Sequence, residues 1–272
     1  MRLTWLGWAG VELDLDGTTI VIDPLADAGA VFAPLGEPAA SAPLPEFVPP
    51  RAGAAVAGLV THLHRDHADA AALRTALVPG APVLEPPAPN GEDQDNLALA
   101  QADHELAAAG VERRQIAPWE SATFGPYTVT ALPAVDGIGD PQIAWAVEAG
   151  DVRVLHLGDT MFHGHWWRMA RAQGPFDVVL LPVNGAVLSF PHRRPPSPLP
   201  AALDPDQAAI AAEALGARLA IPIHAEGYDV EGVYCPVRNA ADRFAAAAAE
   251  RAVAARLLAP GESIDLPDRP RP

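Results

Sequence analysis

The chain contains no lysine: all eighteen residues in its Lys+Arg count are arginines. That excludes a lysine Schiff base and the G-x-x-x-x-G-K-[ST] phosphate loop, because both need an amine this sequence lacks. Serine is scarce as well. None of the five serines stands in a G-x-S-x-G elbow, so serine-hydrolase chemistry of that type has no nucleophile here. The single cysteine, Cys235, can form neither an internal disulfide nor a thiolate zinc cluster, and reads as a small, partly buried apolar residue. Aromatic residues make up only 6% of the chain; alanine abounds instead, which suggests an α/β interior filled by short side chains. No uninterrupted apolar run reaches the roughly 20 residues of a membrane span. The opening stretch also meets Glu12, Asp14 and Asp16 too early for a secretory signal, so a soluble cytoplasmic protein is expected.

At 272 residues, half of them hydrophobic and 19% charged, the chain is long enough to bury a core without staples. We expect one domain over residues 1–272, built of two pseudo-symmetric halves at roughly 1–132 and 133–272. The formal net charge of −16 repels polyanions, which argues against nucleic acid and for a small-molecule substrate. The pairs Arg113-Arg114 and Arg193-Arg194 then read as solvated or salt-bridged surface. Oligomeric state is open, and a homo-oligomer is allowed.

Along the chain, "RLTWLG", "VELDL" and "TTIVID" are short, β-rich and separated by glycine turns, as in an antiparallel meander. Residues 26–54 are rich in Pro, Ala and Gly without a period, and read as a long loop or lid. Strand–helix alternation follows twice: "AAVAGLV", "ADAAALRTAL", "APVLEP" and a helix ended by Gly110, then "ESATFG" and "YTVTALPA", "QIAWAVEAG" and "VRVLHLGD", a helix at "HWWRMARAQ", and "FDVVLLPVN". A Pro-rich loop from 191 to 205 leads to a helix capped by Asp204, the strand "RLAIPIH" and a final helix.

The informative stretch is "THLHRDHAD", residues 61–69. In a chain with nine histidines, three fall within six positions. Alternate side chains of an extended segment point the same way, so His62 and His64 leave their strand toward one side, as two ligands of one ion would. Asp66 and His67 follow where the chain curls toward the next helix and can face a second ion. Imidazole with carboxylate suits zinc, iron or manganese. The bland alternative is a surface cluster of polar residues after a strand.

Through T-H-L-H-R-D-H at residues 61–67 the chain resembles the metallo-β-lactamase fold hydrolases. Support is spread along its length: "LGWAGVELDLDGTTIVIDP" is similar to the family's opening strands, "LHLGDT" to its aspartate-bearing strand and "IPIH" to its last ligand. Within the family the chain most resembles the branch holding ascorbate-6-phosphate lactonase and the N-acylphosphatidylethanolamine-hydrolysing phospholipase. The resemblance implies a four-layer αβ/βα sandwich, two mixed sheets face to face with helices outside, and a site for one or two divalent ions at the sheet edges. It places His62 and His64 on the first ion and Asp66 and His67 on the second, with Asp159 bridging and His224 completing the second.

One position departs from the pattern. The family's third ligand to the first ion is usually a histidine shortly after a strand ending in "PA", and here "ALPAVDGIGD" offers Asp136. Three readings stay open. Asp136 ligates, giving three carboxylates with Asp66 and Asp159 and a preference for harder ions; or it holds a water or another ligand, leaving the first ion weak; or the site binds without catalysis. Asp140 is a second carboxylate at this place.

The expected chemistry is hydrolysis of a small ester, lactone, amide or phosphoester by an ion-activated water. Asp66 is the catalytic group expected to hold that water's proton and pass it to the leaving group. His163, Asn184, His192 and Tyr228, in loops after strands, are candidates to contact substrate. The alternatives are a mononuclear iron or other non-hydrolytic enzyme on the same fold, and a metal-poor binding protein.

Overall fold

Residues 1–88, 97–190, 193–225 and 228–267 are described by the computed structural model of the chain. The alternation of the first residues is realised as β1 (Arg2–Gly7), β2 (Gly10–Leu15) and β3 (Thr18–Ile22), paired antiparallel in sequence order. β4 (Ala55–Leu59), β5 (Pro82–Glu85) and β6 (Glu112–Gln115) then add parallel to β3. The last strand, β15 (Ser263–Asp265), closes the far edge against β1, which makes a mixed seven-stranded sheet.

The second sheet has six strands. β7 (Ser121–Phe124), β8 (Tyr127–Pro133), β9 (Ile143–Ala149) and β10 (Val152–His156) run antiparallel, and β11 (Val178–Pro182) and β13 (Leu219–Ile223) add parallel. A small ribbon pairs β12 (Val187–Leu188) with β14 (Tyr234–Cys235).

The period of two decides the layering. Along β11, Val178 and Leu180 join a core shared with Ile20, Ile22 and Leu59 of the first sheet, while Val179 and Leu181 face the other way. That outer face is covered by α4 (Trp166–Gln173), α5 (Pro205–Ala214) and α6 (Ala240–Glu250), through Trp166, Met169, Ala208 and Phe244. On the opposite side α2 (Ala70–Ala76) and α3 (Leu97–Ala109) cover Val21 and Val83 of the first sheet with Leu73, Leu99 and Leu106. The order helix, sheet, sheet, helix is the expected αβ/βα sandwich.

The helix ends follow local chemistry. Asp69 Oδ1 accepts from the amides of Ala71 and Ala72, at 2.8 and 3.0 Å, and Asp204 forms a capping box with Gln207.

Several expectations need correction. Residues 26–54 are not a bare loop: Asp27 caps a short helix, α1 (Ala28–Phe32), followed by a 3-10 turn. The segment packs down, with Phe32 and Ala42 buried and Val48 N donating to Leu6 O at 2.8 Å. β6, β12, β14 and β15 were not anticipated, being polar, two residues long or isolated after a turn. Cys235 is exposed rather than partly buried.

Candidate metal centre

The chemistry-bearing side chains sit just past the C-terminal ends of strands: Asp23 after β3, residues 61–67 after β4, Asp136 after β8, Asp159 after β10 and His224 after β13. Open α/β sheets present ligand sites at this edge, because the chain leaves the hydrogen-bonded ladder there and can aim side chains inward. Tight turns make the approach possible. Gly158 takes φ +59°, and a Cβ there would lie 2.9 Å from Thr61.

Two groups result. Asp66, His67, Asp159 and His224 bring one donor atom each to within 4.8 Å of one another, and so do His62, His64 and Asp136. In the first group His67 Nδ1 lies 2.7 Å from Asp23 Oδ2, which directs Nε2 at the cluster. There it meets His224 Nε2 at 3.1 Å. Asp159 Oδ1 lies 2.9 Å from His224 Nε2 and 3.2 Å from His67 Nε2, without the directional geometry of a hydrogen bond. Trp8 Nε1 donates to Asp66 Oδ2 at 3.0 Å, and the Trp8 ring packs on His224 with centroids 4.1 Å apart.

In the second group the His62 and His64 rings lie 4.3 Å apart. His62 Nδ1 is 3.0 Å from Thr61 Oγ1, and its Nε2 is buried without a partner among the described residues. His64 Nε2 is 2.8 Å from Asp140 Oδ2, and its Nδ1 is 3.9 Å from Asp136 Oδ2. Asp23 anchors both groups: its carboxylate also accepts from Thr61 N and Oγ1, at 2.8 and 2.6 Å.

Burial pushes His62 well below the usual histidine value, reinforced by the neighbouring His67 and His64. Burial acts on His67 in the same direction, but the carboxylates of Asp159, Asp66 and Asp23 outweigh it and hold its pKa well above the usual value. Burial would raise Asp159, yet the His224 and His67 charges keep it well below the carboxylate range. Two half-buried carboxylates and the converging nitrogens of two buried imidazoles form a donor set that a divalent cation fits.

The other expected residues fall as follows. His163 stacks on Trp166 at 3.8 Å, its Nδ1 accepts from His165 N at 3.1 Å, and its Nε2 is buried with no partner among the described residues. Asn184 Nδ2 donates to Tyr234 Oη at 2.7 Å. Tyr228 is directed elsewhere than expected: its hydroxyl donates to the carbonyls of Phe32 and Gly36, at 3.1 and 3.3 Å, tying down the 26–54 segment. His192 lies outside the described residues.

Sequence reasoning missed Asp23, Trp8 and Tyr234. Asp23 ends "VID" beside a proline, a signal of strand exit only. Trp8 carried none beyond a glycine-flanked turn. Tyr234 titrates well above the usual phenol range through burial and the Asp159 and Asp66 charges, so its hydroxyl keeps its proton.

The sequence profile described as "Beta-lactamase superfamily domain" matches residues 18–225. The chain belongs to this family. It is an enzyme of the superfamily, with the metallo-β-lactamase fold. A "UPF0173 metal-dependent hydrolase" of Methanopyrus kandleri is 27% identical over 97% of this chain and 100% of its own length. Among solved structures, Igni18, a "novel metallo hydrolase" of Ignicoccus hospitalis, aligns over 98% of this chain and 99% of its own, with TM-score 0.65 and 18% identity. CmlA, a diiron beta-hydroxylase of Streptomyces venezuelae, aligns over 97% of this chain and 54% of its own, with TM-score 0.70 and 18% identity. At these identities the two structures are similar to this chain in fold.

Proposed function

We propose that this superfamily enzyme is a metal-dependent hydrolase of a small ester, lactone, amide or phosphoester, holding up to two divalent ions. One observation carries the reading: His67 Nε2, His224 Nε2 and Asp159 Oδ1 converge to within 3.2 Å beside the His62–His64 pair. With no cation there, only protons on the imidazoles could reconcile a carboxylate and two ring nitrogens packed this closely; a divalent ion would take the place of those protons. Zinc, manganese and iron all suit such donors, and bound there they would lower the pKa of a water toward about 7 and polarise a substrate oxygen.

The chain's own groups supply the rest. Trp8 Nε1 holds Asp66 through Oδ2, leaving Oδ1 to accept the proton of the attacking water and return it to the leaving group. Asp23 and Asp140 fix the ring orientations of His67 and His64. Tyr234, whose oxygen already accepts from Asn184, has its own O–H to offer a substrate oxygen. The apolar packing of Phe32 on Trp8, centroids 5.0 Å apart, keeps bulk water off one side.

The test is elemental analysis of protein purified without chelator, paired with turnover of ester, lactone, amide and phosphoester panels by wild type and Asp66→Asn. One to two ions per chain and a turnover that the substitution abolishes are expected; no stoichiometric metal together with no turnover would overturn the reading. The carboxylate at 136 favours a second reading, an iron-dependent non-hydrolytic activity. A single iron per chain without hydrolysis of any panel member would select it.

A further inference from the structure

Both donor groups hold two imidazoles: the position at His67 and His224 adds Asp66 and Asp159, and the position at His62 and His64 adds Asp136. A position built from three imidazoles would be nitrogen-rich and suited to zinc; at His62 and His64 the third donor within reach is a carboxylate instead. Among the described residues the donor that groups with His62 and His64 is Asp136. His156 Nε2 lies 2.8 Å from Ala9 O, and His104 sits on α3 with an exposed face.

Asp136 is built in as a donor. It is buried, and its Oδ1 accepts from Ile138 N at 2.7 Å and from Asp140 N at 3.4 Å, which leaves Oδ2 turned toward His64. The His64 ring is set to match, because Asp140 Oδ2 at Nε2 leaves Nδ1 on the Asp136 side. An aspartate is shorter than a histidine, so the loop must come closer than a histidine-bearing one would, and several contacts hold it there. Val135 N donates to Thr160 Oγ1 at 3.0 Å, Met161 N donates to Val135 O at 2.9 Å, and Arg193 donates to Ile138 O at 2.5 Å. Gly137 lies so tightly on the Ala201 carbonyl that a Cβ would come within 2.2 Å of its oxygen, and Gly139 turns the chain at φ +92°.

Resting on the hydrolase reading, we propose that Asp136, through Oδ2, makes the His62–His64 position a two-histidine, one-carboxylate site that admits a harder divalent ion, manganese or iron(II), more readily than a three-imidazole position would. Imidazole favours zinc, whereas an anionic oxygen donor shifts preference toward manganese and iron, and two histidines with one carboxylate are the donor set of non-haem iron(II) sites. Asp140 is the positioning residue of the set: it touches the ion through His64 only.

The experiment is anomalous diffraction from crystals of the full chain equilibrated with equimolar Mn(II) and Zn(II), recorded at both absorption edges, for wild type, Asp136→His and Asp136→Asn. Each position then reports its own manganese-to-zinc ratio without any assay of activity. In Asp136→His the ratio at His62–His64 should fall at least about tenfold, while that at His67–His224 stays unchanged. In Asp136→Asn, which keeps the shape, occupancy at His62–His64 should drop with the other position still filled. Should Asp136→His fail to fold, Asp140→Asn serves as the second arm: looser positioning of His64 should lower total occupancy there roughly 10–100-fold in affinity without inverting the ratio. Ions at both positions with ratios that move less than twofold in Asp136→His would overturn the inference and leave the hydrolase reading standing. Absence of an ion from both positions in wild type would remove both.

Discussion

Asp23 stands behind the ligands without being counted among them. Its two oxygens accept from Thr61 N, Thr61 Oγ1 and His67 Nδ1, all buried. Asp23→Ala strands three donors at once, so stability should drop by about 3 kcal/mol or more in urea titration. Metal affinity should fall roughly 10–100-fold in competition with a chromophoric chelator, because the His67 ring is no longer held. A structural role alone would move the first readout and spare the second. His163 is a separate case. Burial, with a smaller push from His165, lowers its pKa from 6.5 to about 4. The folded chain therefore refuses a proton that the unfolded chain accepts, and this group destabilises the fold progressively as pH falls from about 6.5 toward 4. The gap in unfolding free energy between about pH 7 and about pH 5 should be larger in wild type than in His163→Gln; equal gaps would show that the imidazole titrates normally.

At the scale of elements, Asp69 links two distant segments. Its Oδ1 caps α2, and its Oδ2 accepts from Ala26 N at 2.9 Å, pinning the start of the 26–54 segment beside the cluster. Asp69→Ala should cost about 1–2 kcal/mol from the cap, and it should also speed proteolysis within residues 26–54; a stability loss with unchanged cleavage would separate the two roles. The same contrast explains what could be read in advance. The cap of α5 at Asp204, the meander and the strands "AAVAGLV" and "FDVVLLPVN" are written locally, in caps, alternation and apolar runs. β6 reads "ERRQ", with no apolar face; it pairs parallel with β5, and Arg113 reaches Glu85 at 2.9 Å and Asp103 at 2.7 Å. β15 pairs Asp265 with Arg2, a partnership between the two ends of the chain that no local window contains.

At the scale of the molecule, local spacing placed His62, His64, Asp66 and His67 together, whereas Asp159 and His224 came from the family resemblance, their places at strand ends being compatible with it; closure of the two sheets brings residue 224 against residue 67. Trp8 joins them, with Nε1 on Asp66 and its ring on His224. The centre is therefore a junction between the sheets as well as a pocket, and a cation held there ties β3, β4, β10 and β13 at their ends. Ions that bind the folded chain and not the unfolded one raise stability by about 2.7 kcal/mol at a concentration 100 times the dissociation constant. Chelator-stripped protein should thus melt at a lower temperature than protein with metal, and the difference should grow with the logarithm of added Mn(II) or Zn(II). Calcium, which prefers all-oxygen shells, should restore little of it. If the melting temperature ignored every divalent ion, or followed calcium as closely as zinc, the converging imidazoles would be a structural polar cluster, since nitrogen donors are what separate these ions.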